Sequence, residues 1–228
     1  MEEIINCYFE RLQIHNNNDL IQTNEFQLFN IRLKNSLRIE NINFNNRGNN
    51  NLQVGNHINN LYSKVIILME FWYTYEALIK AEGNFTNKNS KFHVPKDIRE
   101  HEGLKISFDK GLEKLQNRYD NNINFREGFR ALINNINTNI EGDSIRRNCN
   151  ALLNKLDNPQ GVNLGRLEIL ALIYGERNMY VHNGSTSING MNYDDREFML
   201  NFYSDYLCRH ILVLAIYFIN IRLAQINL

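Results

Sequence analysis

The sequence predicts an all-α protein built as an antiparallel helical bundle, and three observations carry that expectation. Only two prolines, Pro95 and Pro159, interrupt the 228 residues, so long helices are permitted almost throughout. Apolar residues recur at helical spacing: Leu61, Val65, Leu68, Trp72, Tyr75 and Ile79 form one stripe about five turns long. Nowhere do strand-like and helix-like segments alternate as a βαβ unit requires.

Taken in order, residues 1–13 place Ile4, Ile5, Tyr8, Phe9 and Leu12 on one helical face. Between 26 and 44 the spacing changes to alternation: Phe29, Ile31 and Leu33, then Leu37 and Ile39, then Ile42 and Phe44. Such a pattern suits a short β-hairpin turning near Asn35–Ser36, or an imperfectly patterned helix, and the hairpin is the expectation. The polar, glycine-containing stretch 43–56 reads as a linker. The expected division is therefore an N-terminal extension with its linker over 1–56 and a helical domain over 57–228.

Beyond the first long helix, Pro95 suits the opening position of the next, with Ile98, Leu104, Phe108, Leu112 and Leu115 facing inward. Phe125, Phe129, Leu132, Ile133 and Ile136 mark a shorter helix, and Ile145, Cys149, Leu152 and Leu156 another. A helix from about Leu164 to His182 follows. The last opens near Asp194–Asp195, whose carboxylates suit a helix N-terminus. It continues through Phe198, Phe202, Tyr206, His210, Leu214, Tyr217 and Ile221.

Composition narrows the function classes. A hydrophobic fraction of 43% supplies a sizeable core, and a net charge of zero argues against broad capture of duplex nucleic acid. Any nucleic-acid contact should be local. Cys7, Cys149 and Cys208 are odd in number and widely spaced, which fits a reducing cytoplasm better than a disulfide framework. The acidic start, "MEEIINCYFERLQ", has no basic and apolar leader pattern. The apolar run 211–221 is too short to span a bilayer and is flanked by Arg209, His210 and Arg222, so no membrane is expected. Asparagine makes up about one residue in six, often beside isoleucine, which reads as coding bias.

Familiar catalytic strings are missing: there is no P-loop, no GxGxxG after a strand, no HExxH and no GxSxG. His93 and His101, near Glu100 and Glu102, come nearest to a metal cluster without reaching ligand spacing, so neither metal nor cofactor is expected. His15 and His57 sit in polar stretches, and His210 reads as structural. Arg146 and Arg147 read as a solvated helix face.

One stretch carries chemistry: "GERNMYVHNG", residues 175–184. Arg177 and His182 would stand about 140° apart on a regular helix, but Gly184 marks a helix end where His182 could occupy a loosened last turn. Asn178 and His182 are i, i+4 neighbours, so the amide can orient the imidazole. A guanidinium forks phosphate oxygens and stabilises charge building there. Histidine moves protons near neutral pH. RNA carries its own nucleophile, the 2′-OH, so such a pair suffices without metal or side-chain nucleophile. The bland alternative is a histidine favoured at a helix C-terminus by the macrodipole, beside a surface arginine.

"RNMYVH" at 177–182 resembles the R-x(4–6)-H mark of the HEPN superfamily, in which the residue after arginine is usually asparagine, aspartate or histidine. The resemblance covers about residues 57–228. It implies a HEPN-like helical bundle, a homodimer with two motifs lining one RNA cleft, and metal-independent endoribonuclease activity in a toxin or antiviral-defence role. An antitoxin or other defence-system partner is then expected. Arg177, Asn178 and His182 become the catalytic residues, with Tyr180, Arg166 and Tyr193 as further RNA contacts. One departure stands out: toxins of this kind that are nucleotidylated by a partner carry tyrosine two places after the histidine, where this chain has Gly184. The competing expectation is a non-catalytic helical scaffold, sensor or nucleotide-binding subunit.

Overall fold

The computed structural model describes residues 1–15, 23–40, 42, 56–82, 102–139, 143–157, 164–183 and 191–226. Among them are eight helices and no strand: α1 (Glu2–His15), α2 (Asn24–Ser36), α3 (Asn56–Ala81), α4 (Glu102–Asn121), α5 (Ile123–Asn139), α6 (Asp143–Leu156), α7 (Arg166–Asn183) and α8 (Tyr193–Ile226). The all-α expectation holds. Pro95, His93, His101 and nearly all of the linker 43–56 lie outside the described residues.

The expected hairpin is a helix. Thr23 caps α2 by accepting a hydrogen bond from the Phe26 amide (3.3 Å), and Leu37 closes it with its amide on the Leu33 carbonyl (2.9 Å). The inward set is Phe26, Phe29, Leu33 and Ser36, spaced three and four apart. Ile31, which completed the apparent alternation, points to solvent.

The chain forms two units, the first made of Met1–Arg38, Glu70–Lys110 and Asp205–Leu228, the second of Ile39–Met69 and Gly111–Ser204. In the first, Tyr8 packs edge-on against Phe29 with ring centres 6.4 Å apart, and Trp72 packs against Tyr75 at 5.4 Å. Ser36 and Thr74 share a buried hydrogen bond of 2.9 Å, so α2 and α3 meet through two hydroxyls that also bond their own helices. His210 is fully buried with its ring 5.5 Å from Tyr75.

In the second unit, α5, α6 and α7 pack on one another. The inward faces of α5 and α6 are those that the spacing predicts: Phe125, Phe129, Leu132, Ile133 and Ile136, then Ile145, Cys149, Leu152 and Leu156. Asn122 turns the chain from α4 into α5 by capping Phe125 (3.0 Å), and Arg126 returns to the Tyr119 carbonyl (2.7 Å). Phe125 stacks on Phe129 at 5.8 Å and meets Phe198 edge-on at 5.7 Å.

Within Tyr193–Ile221 of α8 an 18-residue window is long and apolar enough to cross a bilayer by length and composition, yet 72% of that window is buried inside the protein. The helix also carries the buried Asp195, Arg196 and His210. Such burial is consistent with a core helix, which passes the same test of length and apolarity.

Burial separates the thiols. It pushes Cys149 up to about 11 and Cys208 up to about 12, while Cys7 is partly exposed. Titration of the native protein with a thiol reagent at pH 8 should therefore show one fast thiol, Cys7. The other two should react only in denaturant, and three equal rates would contradict this packing.

Candidate active site at the end of α7

α7 changes character along its length. Gly165 precedes it, donating its amide to the Glu168 carboxylate, while Glu168 also pairs with Lys155 at 2.5 Å. This is the reach-back half of a capping box. Ile169, Leu170, Ala171, Leu172 and Ile173 then have no exposed surface at all, so the middle of the helix is enclosed on every side. From Glu176 onward it emerges. Glu176 and Met179 are buried, Arg177, Asn178 and Tyr180 are half-buried, and Val181 and His182 are exposed.

Beneath this emerging end lies an ion pair. Arg196, with no exposed surface, donates from Nη1 to Oε1 of Glu176 (2.7 Å) and from Nη2 to Oε2 (2.6 Å). Two parallel bonds make this a bidentate fork. Burial alone would lower the guanidinium's proton affinity. The Glu176 carboxylate reverses that through its charge and hydrogen bonds, and holds Arg196 above its ordinary value. The Tyr203 phenol is pushed well above its usual range, by burial first and by Glu176 second, with Arg196 offsetting part.

The start of α8 is fixed from two more directions. Asn192 accepts from the Asp195 amide (2.9 Å) and donates to its carboxylate (2.7 Å). Arg118 of α4 donates to the same carboxylate at 2.9 and 2.5 Å, with its guanidinium 4.5 Å from the centre of the Phe198 ring. Asn60 of α3 donates to the Tyr193 phenol oxygen (2.6 Å) and to Glu197 (2.8 Å), and His57 lies edge-on to Tyr193 at 4.7 Å.

The residues singled out in the sequence divide into groups. Arg177 and Asn178 are together: Nη1 of the arginine donates to the Asn178 carbonyl oxygen at 3.0 Å. Among the described residues no carboxylate pairs with Arg177, and its buried Nε has no hydrogen-bond partner. His182 occupies the last turn of the helix, as expected. However, Asn178 is engaged by Arg177, and no hydrogen bond joins it to His182 among the described residues. Five residues on, His182 sits about 7.5 Å further along the axis and about 140° round it. Tyr180 packs edge-on to Tyr62 of α3 at 6.4 Å. Tyr193 is the first residue of α8 and belongs to the Asn60 cluster. Arg166 opens α7, some 16 Å along the axis from Arg177, and is not brought to this end.

Sequence reasoning missed Glu176, Arg196, Asn60 and Glu197. Glu176 adjoins the motif, but its partner is twenty residues away, and "DDRE" at 194–197 reads as a charged helix start. Among the described residues no three His, Cys, Asp or Glu side chains gather as a metal site. Compared with known proteins, the chain matches no family model, no curated protein and no solved structure.

Removing one half of the buried pair leaves an uncompensated charge, so Glu176→Ala should cost about 3–5 kcal/mol in denaturant unfolding. Arg130→Ala, which breaks the exposed pair with Asp157 at 2.5 Å, should cost no more than about 1 kcal/mol. Equal costs would show that the Glu176–Arg196 pair is not desolvated in solution.

Proposed function

We propose that this protein is a metal-independent endoribonuclease of the HEPN type, with the C-terminal end of α7 as its active end. The observation that carries the reading is Arg177: half-buried, braced by Asn178, and matched by no carboxylate among the described residues. A permanent cation held in this way favours an anion with several oxygens, and a phosphodiester fits. His182 stands exposed on the last turn, accessible to a ribose hydroxyl or a leaving oxygen.

In the proposed reaction the 2′-OH attacks the adjacent phosphorus, forming the 2′-O–P bond and breaking the bond to the 5′-oxygen. One proton leaves the 2′-OH and one reaches the 5′-oxygen. The products are a 2′,3′-cyclic phosphate and a 5′-OH. Arg177 stabilises the equatorial oxygens, and His182 serves as general base or general acid. Two transfers ask for two proton carriers, and a homodimer supplies a second His182. Val181, 43% exposed beside His182, leaves apolar surface at this end of α7 for self-association. We place the protein in the cytoplasm, in a toxin or antiviral-defence role restrained by an antitoxin or another component of a defence system.

The separation of His182 from the Arg177–Asn178 pair favours a second reading, in which the end of α7 binds a nucleotide without cutting RNA and the domain acts as scaffold or sensor. Cleavage of labelled structured RNA in EDTA separates the two. Wild type should cut and leave cyclic-phosphate ends, while His182→Ala and Arg177→Ala each lose about 10²-fold or more. Equal cutting by all three proteins, or none by a folded wild-type dimer across several RNAs, would refute the ribonuclease reading.

A further inference from the structure

Apolar contact is non-directional. A helix enclosed on all sides by such contact, as α7 is over Ile169–Ile173, has no amphipathic stripe to fix its rotation or its register. Some directional contact has to set where the emerging end points. Only one buried bidentate contact is found there among the described residues, and it ends one peptide short of the motif: Glu176 to Arg196, at 2.7 and 2.6 Å.

Arg196 is itself a fixed point. It lies in the first turn of α8, where its neighbour Asp195 is gripped by Asn192 and by Arg118 of α4. A continuous series of short polar contacts therefore runs from α4 through α8 to the residue before Arg177. The setting is poorly suited to stability alone. Arg196 Nε and the Tyr203 hydroxyl are buried without partners among the described residues, and two well-packed apolar side chains would be at least as favourable in their place.

We propose that Glu176 and Arg196 are positioning residues for Arg177: their fork sets the rotation and register of the last two turns of α7, and hence the direction of the Arg177 guanidinium. The catalytic consequence rests on the ribonuclease reading; the positioning itself does not.

The test uses the full chain and a double variant, Glu176→Met with Arg196→Met, which removes the fork and refills its volume. If the pair served stability alone, the variant would match wild type in every respect once its unfolding free energy was restored. If the pair positions Arg177, stability is kept while the Arg177 side chain loosens. The readout is the Arg177 Nε–H signal in a ¹H–¹⁵N spectrum, assigned by its loss in Arg177→Lys. Its exchange with water should be roughly tenfold faster in the double variant than in wild type. Arg196→Lys keeps the charge and loses the fork, so it should show the same acceleration even if the double variant fails to fold. Unchanged exchange in whichever of these variants folds overturns the proposal. On an RNA that wild type cuts, kcat should fall roughly 100-fold with KM unchanged, the signature of a misdirected transition-state contact. A wild type inert on RNA would count against the ribonuclease reading alone, because the exchange rate still decides the positioning.

Discussion

A guanidinium with no solvent contact needs a countercharge, and the fork between Arg196 and Glu176 governs the end of the second unit where the motif lies. Desolvating both charges is unfavourable, and only good geometry brings the pair near balance. That requirement fixes α7 against α8 at one point and in one orientation. The surrounding apolar side chains accept that arrangement without choosing it. Polar contacts then extend the fixed region: Arg118 and Asn192 hold Asp195, and Asn60 holds Tyr193 and Glu197. The first turn of α8 is thus tied by directional contacts to α3, α4 and α7.

How much of this was legible in the sequence depends on the range of each interaction. α5 and α6 bury one face each, so their spacing named the core residues correctly. α7 was legible as a helix but not as an enclosed one, because a helix buried on every side shows no stripe. α2 was misread because Phe29, Ile31 and Leu33 satisfy a period of two as easily as Phe26, Phe29 and Leu33 satisfy helical spacing. The cap at Thr23 and the buried Ser36 decide the matter, and Ser36 acts through Thr74, a partner 38 residues away.

The site was legible to the same extent. Arg177, Asn178 and His182 stand out as types at a spacing, and their place at the end of a helix follows from Gly184. Which of them touch does not follow. Asn178 has two candidate partners at hand, His182 one turn away and Arg177 beside it, and the nearer, charged donor takes the carbonyl oxygen. Glu176 could not be told from any other acid next to a basic residue, since its significance comes from Arg196 alone.

The carboxylates near the motif explain why its arginine stays available to an anion. Glu176 is taken by Arg196, Asp195 by Arg118 and Asn192, and Glu197 by Asn60. These three acids are held by their partners at 2.9 Å or less. A chain of zero net charge can in this way present Arg177, with no carboxylate partner among the described residues, where α7 emerges from the core, without a net excess of positive charge that would attract any polyanion. Ion pairing between neighbours, rather than an excess of basic residues, then selects the place at which a phosphate is favoured.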